Sequence, residues 1–125
     1  VVDTTVKLTI PATPDFLRLA RLTAADVGSR VGLTFEEVDD LRIAVDELCF
    51  VLVDGIDDGA LHLVFVLGEG RLSVEGHCDV GPGAPAVGPS ELAKTIIAAV
   101  VDGFAITSDH GTRRFEMHKR IVDRS

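Results

Sequence analysis

Few side chains in this sequence are placed to do chemistry. The clearest is Glu47, a carboxylate held beside the apolar stripe of a helix in the stretch Glu36 to Gly55, EEVDDLRIAVDELCFVLVDG. Flanked by Asp46, it reads equally well as solvated surface. A second candidate is Asp79-Val80-Gly81-Pro82-Gly83, a carboxylate followed by glycines that let backbone come close to a ligand. By itself it is also a polar turn after a strand. The third is Gly111-Thr112, a glycine turn that opens the last strand. His62, His77, His110 and His118 are scattered without paired-ligand spacing, so no metal site is expected. His77 and Cys78 are neighbours on a strand and point to opposite faces. No serine or cysteine stands in a nucleophile-elbow context, and no triad is suggested.

The elements that must position these residues follow from periodicity. Val6, Leu8 and Ile10 alternate with Lys7 and Thr9, the pattern of a half-buried strand. Thr13-Pro14-Asp15 predicts a helix start, with Phe16, Ala20, Thr23 and Val27 along one face and Gly32 closing it. In the next helix Val38, Leu41, Val45, Leu48 and Leu52 recur three or four apart. Thr34 and Glu37 form a capping-box start, and Gly55 a stop. Arg42 has the spacing to pair with Asp46. After an Asp57-Asp58-Gly59 turn, Leu61 to Leu67 is apolar on both faces except at His62, which suggests a central strand. Gly68-Glu69-Gly70 connects it to Arg71 to Cys78, with Leu72, Val74, Gly76 and Cys78 on one side.

Residues 79–89 read as loop, because proline and glycine break regular structure there. Ser90 caps a third helix, Glu91 to Val101, which Gly103 ends. Phe104 to Ser108 and Thr112 to Val122 are strands joined by the hairpin signal Asp109-His110-Gly111. Phe115, Met117 and Ile121 point inward on the last strand. The order β-α-α-β-β-α-β-β predicts an α/β two-layer sandwich: a mixed, mostly antiparallel sheet of about five strands covered by three helices. Residues 1–125 form a single domain.

Bulk properties narrow the function classes. With 125 residues and 46% hydrophobic content, the chain can bury a real core. A net charge of -8 argues against nucleic acid, whose phosphates need clustered Lys and Arg. The one basic-rich segment, Arg113 to Arg124, contains Glu116 and Asp123 and reads as a solvated strand face. No apolar run approaches the roughly 20 residues of a membrane helix. Two cysteines, Cys49 and Cys78, form no framework, and with no signal peptide in view the expected compartment is the cytoplasm. The chain opens on Val1, which suits a piece cut from a longer protein.

DDLRIAVDELC (Asp39 to Cys49), the strand pair after it, Asp79-Val80-Gly81-Pro82-Gly83, and Gly111-Thr112 opening a strand that ends FEMHK follow one another in order. Together they resemble the bacterial anti-sigma factor and serine-protein kinase family, within the histidine-kinase-like ATPase superfamily. The resemblance implies that Glu47 acts as base or orients water in phosphoryl transfer. It implies that Asp79, Gly81, Gly83 and Thr112 contact the nucleotide, with Asp79 accepting the exocyclic amine of adenine. It also implies an asparagine one turn after Glu47 to hold Mg2+. That position here is Val51, which has no ligand atom.

The glycine-rich phosphate cradle before the third helix is also reduced. Gly88 is the only glycine there, Pro89 lacks an N–H, and Glu91 would repel phosphate. The expected function is therefore an anti-sigma-factor-like regulator that binds a sigma factor, an anti-anti-sigma antagonist, or both. Nucleotide binding is expected to be degraded or lost, so neither ATP nor Mg2+ is expected as cofactor. The resemblance further implies a homodimer through the first strand and helix. The acidic edge Glu36, Glu37, Asp39 and Asp40 would suit a basic partner. Two alternatives stand beside this: an active serine-protein kinase, and a pseudo-ATPase sensory unit of a larger regulator.

Overall fold

The computed structural model describes residues 4–56 and 58–122. Asp57 of the expected turn, and Asp123 and Arg124 of the basic segment, lie outside the described residues. The element order is β1 (Thr4–Pro11), a 3-10 turn (Pro14–Phe16), α1 (Leu17–Arg30), α2 (Phe35–Val53), β2 (Ala60–Gly68), β3 (Arg71–Asp79), α3 (Glu91–Val100), β4 (Gly103–Asp109) and β5 (Thr112–Arg120). The five strands form one sheet in the order β1-β2-β3-β5-β4. Each of the four neighbouring pairs is antiparallel. The crossover through α3 does bring β4 back in the direction of β3, the parallel relation that the element order implies. β5 lies between them, so no parallel ladder forms.

The two hairpin turns need left-handed backbone. Glu69 and Gly70 have φ of 54° and 73°, and His110 and Gly111 have 50° and 81°. Positive φ at both central residues suits the twist of the strands they join.

The sheet buries one face. Leu61, Leu63 and Phe65 on β2, Leu72, Val74 and Cys78 on β3, and Phe115 and Met117 on β5 are buried with Leu41, Val45, Leu48 and Leu52 of α2. Gly76 makes this packing possible, since a Cβ there would lie 2.2 Å from the Phe115 ring. The alternate residues form rungs on the opposite face, one of which runs Thr9, His62, His77, Arg114, Thr107 across all five strands.

The start of α1 differs from the sequence expectation. Thr13-Pro14-Asp15 opens a 3-10 turn without a side-chain cap, and the α-helix begins at Leu17. The buried stripe is accordingly Leu17, Ala20, Ala24 and Val27. Phe16 is 42% exposed, and Thr23 is only partly buried. The α1–α2 contact is tight, with a Cβ on Gly28 placed 3.1 Å from Leu41.

Candidate functional site

Helix α2 holds Glu47 rigidly. Its N-terminus is fixed by a reciprocal cap: the Glu37 N–H donates to Thr34 Oγ1 at 3.2 Å, and the Thr34 N–H donates to Glu37 Oε1 at 2.9 Å. Both orphan groups are satisfied, so the helix starts at a defined residue. Its buried side chains, Leu41, Ala44, Val45, Leu48 and Leu52 among them, then set its rotation on the sheet. That rotation leaves Glu47 half-buried at the edge of a cavity of about 530 Å³. Phe50 and Val51 of α2, Asp54 just beyond it, residues 86–90 and Ala93 of α3 complete the lining. Val51 is 8% exposed and aliphatic at the turn after Glu47. No lysine or arginine lines the cavity.

The other predicted residues lie elsewhere. Leu72, Val74, Gly76 and Cys78 of β3 face the core, so strand alternation turns Asp79 to the opposite side of the sheet. There it is in register with Thr112, whose Oγ1 donates to Asp79 Oδ1 at 2.9 Å. Gly81 and Gly83 take φ of 84° and 94° in the loop that follows. Gly81 presses on the hairpin: a Cβ on Gly111 would lie 2.7 Å from the Gly81 carbonyl carbon. The Val80 N–H also donates to the Gly111 carbonyl at 2.7 Å. Asp79, Thr112 and Gly81 are thus brought together at the loop–hairpin junction. Gly83 and Thr112 line a smaller cavity of about 330 Å³ there. Glu47 lines neither that cavity nor any contact with Asp79.

Arg113 corrects the reading of the last segment as a solvated face. It is 3% exposed, and it is the one buried charged residue among those described. Its Nη1 donates to the carbonyls of Leu52 (3.0 Å) and Asp54 (2.8 Å), and its Nη2 to that of Pro85 (3.4 Å). The guanidinium therefore sits on the negative end of α2 and ties it to the 79–89 loop. Its Nε is buried without a partner. Parity could have found this: Arg113 is two residues before Phe115 and four before Met117, both read as inward. A second correction concerns Arg42, which pairs with Asp39 at 2.9 Å, while Asp46 takes Arg21 at 2.7 Å.

The thiols and imidazoles have structural surroundings. Burial pushes both the Cys49 and the Cys78 thiol up from the ordinary range, so neither is a ready nucleophile. His62 and His77 stack with ring centroids 4.7 Å apart, and Thr9 Oγ1 lies 3.1 Å from His62 Nδ1. Burial, then the charges of His62 and Arg114, hold the His77 imidazole below its ordinary pKa. Among the described residues, no three His, Cys, Asp or Glu cluster to hold a metal.

Known proteins place this arrangement. The serine-protein kinase RsbW of Halalkalibacterium halodurans is 36% identical over 72 residues, which are 56% of this chain and 44% of that protein. The serine-protein kinase RsbW of Bacillus pumilus is 38% identical over 76 residues, 55% of this chain and 46% of that protein. The chain resembles the RsbW family. It spans less than half the length of these RsbW relatives, and no family model matches it. A crystal structure of the RsbU and RsbW domains of a Mycobacterium tuberculosis protein superposes with a TM-score of 0.71 at 16% identity, covering 94% of this chain and 32% of that one. At that identity the match speaks for the fold alone: the RsbW-like α/β sandwich of five antiparallel strands and three helices. No helix among the described residues is long and apolar enough to cross a membrane.

Proposed function

We propose that this chain is an anti-sigma-factor-like regulator that acts by protein contact, binding a sigma factor, an anti-anti-sigma antagonist, or both, with nucleotide binding lost. The observation that carries this reading is the buried aliphatic Val51 beside Glu47. Mg2+ requires near-octahedral oxygen ligands, and phosphoryl transfer depends on such charge neutralisation. The cavity holds Glu47 and Asp54, no cationic side chain, and Pro89 where a phosphate cradle would need an N–H. Asp79 bonds to Thr112 on the far side of the sheet rather than facing Glu47. These residues do not fit Mg-ATP, and no catalytic step is assigned to Glu47.

In this reading the protein works in the cytoplasm as a homodimer. β1 is an edge strand of the sheet, and Leu19 and Leu22 of α1 are exposed apolar side chains. The acidic first turn of α2, Glu36 and Glu37, favours a basic partner surface.

Calorimetry with Mg-ATP tests the loss of nucleotide binding. The native chain should give no Mg2+-dependent heat. Val51→Asn alone should not restore it, because the cradle is missing too. Tight Mg2+-dependent binding with phosphate transfer to a partner serine would instead establish an active kinase. Affinity capture with the purified chain, followed by mass spectrometry for a sigma factor, tests the partner.

A further inference from the structure

Arg113 is the one buried charged residue among those described, and no acid matches its charge. An exposed cation is hydrated and needs no partner, whereas a buried one requires compensation. Arg21, Arg30, Arg42, Lys94 and Arg120 are all at least partly exposed, yet each reaches a carboxylate. Arg113 meets only neutral carbonyls.

These carbonyls fill one side of the guanidinium. Nη1 donates to Leu52 at 3.0 Å and to Asp54 at 2.8 Å. On the other side Nη2 has a single long bond, 3.4 Å, to the Pro85 carbonyl, and Nε is buried with no partner. Nε and Nη2 carry two parallel N–H groups, the fork that a carboxylate grips with both oxygens. This fork lies toward the 79–89 loop, since its one acceptor is Pro85. Pro85 and Arg113 both line the cavity of about 330 Å³ at the loop–hairpin junction. Open space and a buried donor pair short of acceptors thus lie side by side.

The lining sets the kind of anion. Val80, Pro82, Ala84, Pro85 and Ala86 make it largely apolar on the loop side. Asp109 of the hairpin is in the same lining and opposes a second negative charge. We infer that this cavity binds a short aliphatic monocarboxylate, its oxygens on Nε and Nη2 of Arg113 and its methylenes against the prolines and alanines. The carboxylate takes the place of the Pro85 carbonyl, and the open space around Gly81 and Gly83 lets the loop yield. A full counter-charge then replaces a weak dipole, and the alkyl chain leaves water. The site is separate from the cavity at Glu47, and the inference does not depend on the protein-contact reading.

Titration of the full, isotope-labelled chain with sodium butyrate tests this by NMR. Saturable shifts are expected in the amides of residues 80–86 and 108–113. The Arg113 Nε–H signal should move downfield and exchange more slowly. Butyramide, which has the same shape without the charge, and inorganic phosphate should each bind about tenfold more weakly or worse. Ala84 is half-buried in the lining, so Ala84→Leu fills the cavity without altering Arg113 and should cost about tenfold or more. Arg113→Lys keeps the charge but loses the fork, and should weaken butyrate similarly. If that variant does not fold, Ala84→Leu and the native Nε–H signal still decide. Equal binding of butyrate and butyramide, tighter binding of phosphate, an unmoved Nε–H, an Ala84→Leu chain that binds like the native one, or no saturable shift would overturn the inference. Mg-ATP is titrated separately: Mg2+-dependent binding defeats the loss of nucleotide binding, whereas butyrate failure alone leaves that reading intact.

Discussion

The two ends of the resemblance, Glu47 on α2 and Asp79 on β3, meet different fates in the structure. Glu47 looks into a cavity on the helical side of the sheet, beside Val51, with no partner. Asp79 lies on the opposite side of its strand, bonded to Thr112 in the adjacent strand. The helical side keeps open space lined by Glu47 and Asp54 with no cationic side chain. The far side keeps the polar pair but closes it on itself. Between them Arg113, buried in the core, binds the end of α2 to the loop. Strand parity thus decides which face each of these residues serves.

This contrast can be broken at its hinge. Gly111 combines a φ of 81° with close approach to Gly81 and Pro82, so a methyl group there meets backbone on both counts. Gly111→Ala should cost about 3 kcal/mol in urea unfolding and separate the loop from the hairpin. Arg113→Met comes next. It keeps bulk in the core but strips the cation from the carbonyls of Leu52 in α2 and of Asp54 just beyond it, so a loss of about 2 kcal/mol is expected. Hydrogen exchange should speed up at the end of α2 and in residues 80–86 while β1 and β2 stay protected. Uniform exchange would mean that Arg113 does not tie the two regions together.

The smallest effect sharpens the far side. The folded chain favours neutral His77, whereas the unfolded imidazole protonates near its ordinary pKa of about 6.5. The folded value is the lower one, so this contribution is present above the unfolded pKa and is lost as pH falls through it toward the folded value. His77→Gln should flatten the fall of stability between about pH 7 and pH 5. An unchanged slope would assign the acid sensitivity elsewhere.

Local signals carried much of the fold. The Thr34–Glu37 box, the 3-to-4 spacing of Leu41, Val45, Leu48 and Leu52, and the glycine turns at Gly70 and Gly111 each depend on a few neighbouring residues. A reader of the chain can find them without knowing what packs where. The helix start at Pro14 was harder, because proline suits both a 3-10 turn and an α-helix, and only the seating of Leu17 against the core chose between them. Arg113 was obscured by composition: four of the eight residues from Arg113 to Arg120 are basic besides His118, which reads as solvated surface, while its parity with Phe115 pointed inward. The candidate site was legible only in pieces. Glu47 was visible beside its stripe, but its separation from Asp79 was not, since that depends on which face β3 turns to α2.

By itself the sequence determined most of the elements, the Thr34 and Ser90 caps, the glycine hairpin turns, the aliphatic Val51 one turn after Glu47, and the acidic balance, because these are properties of residue type and short-range geometry. Tertiary structure alone decided that β5 enters between β3 and β4, that Arg113 is drawn inside to neutralise the end of α2, and that Glu47 and Asp54 face one cavity while Asp79 turns away. Those outcomes depend on long-range packing, where burying the apolar faces of α2 and the sheet fixes each strand's register and thereby assigns every polar side chain to one side or the other.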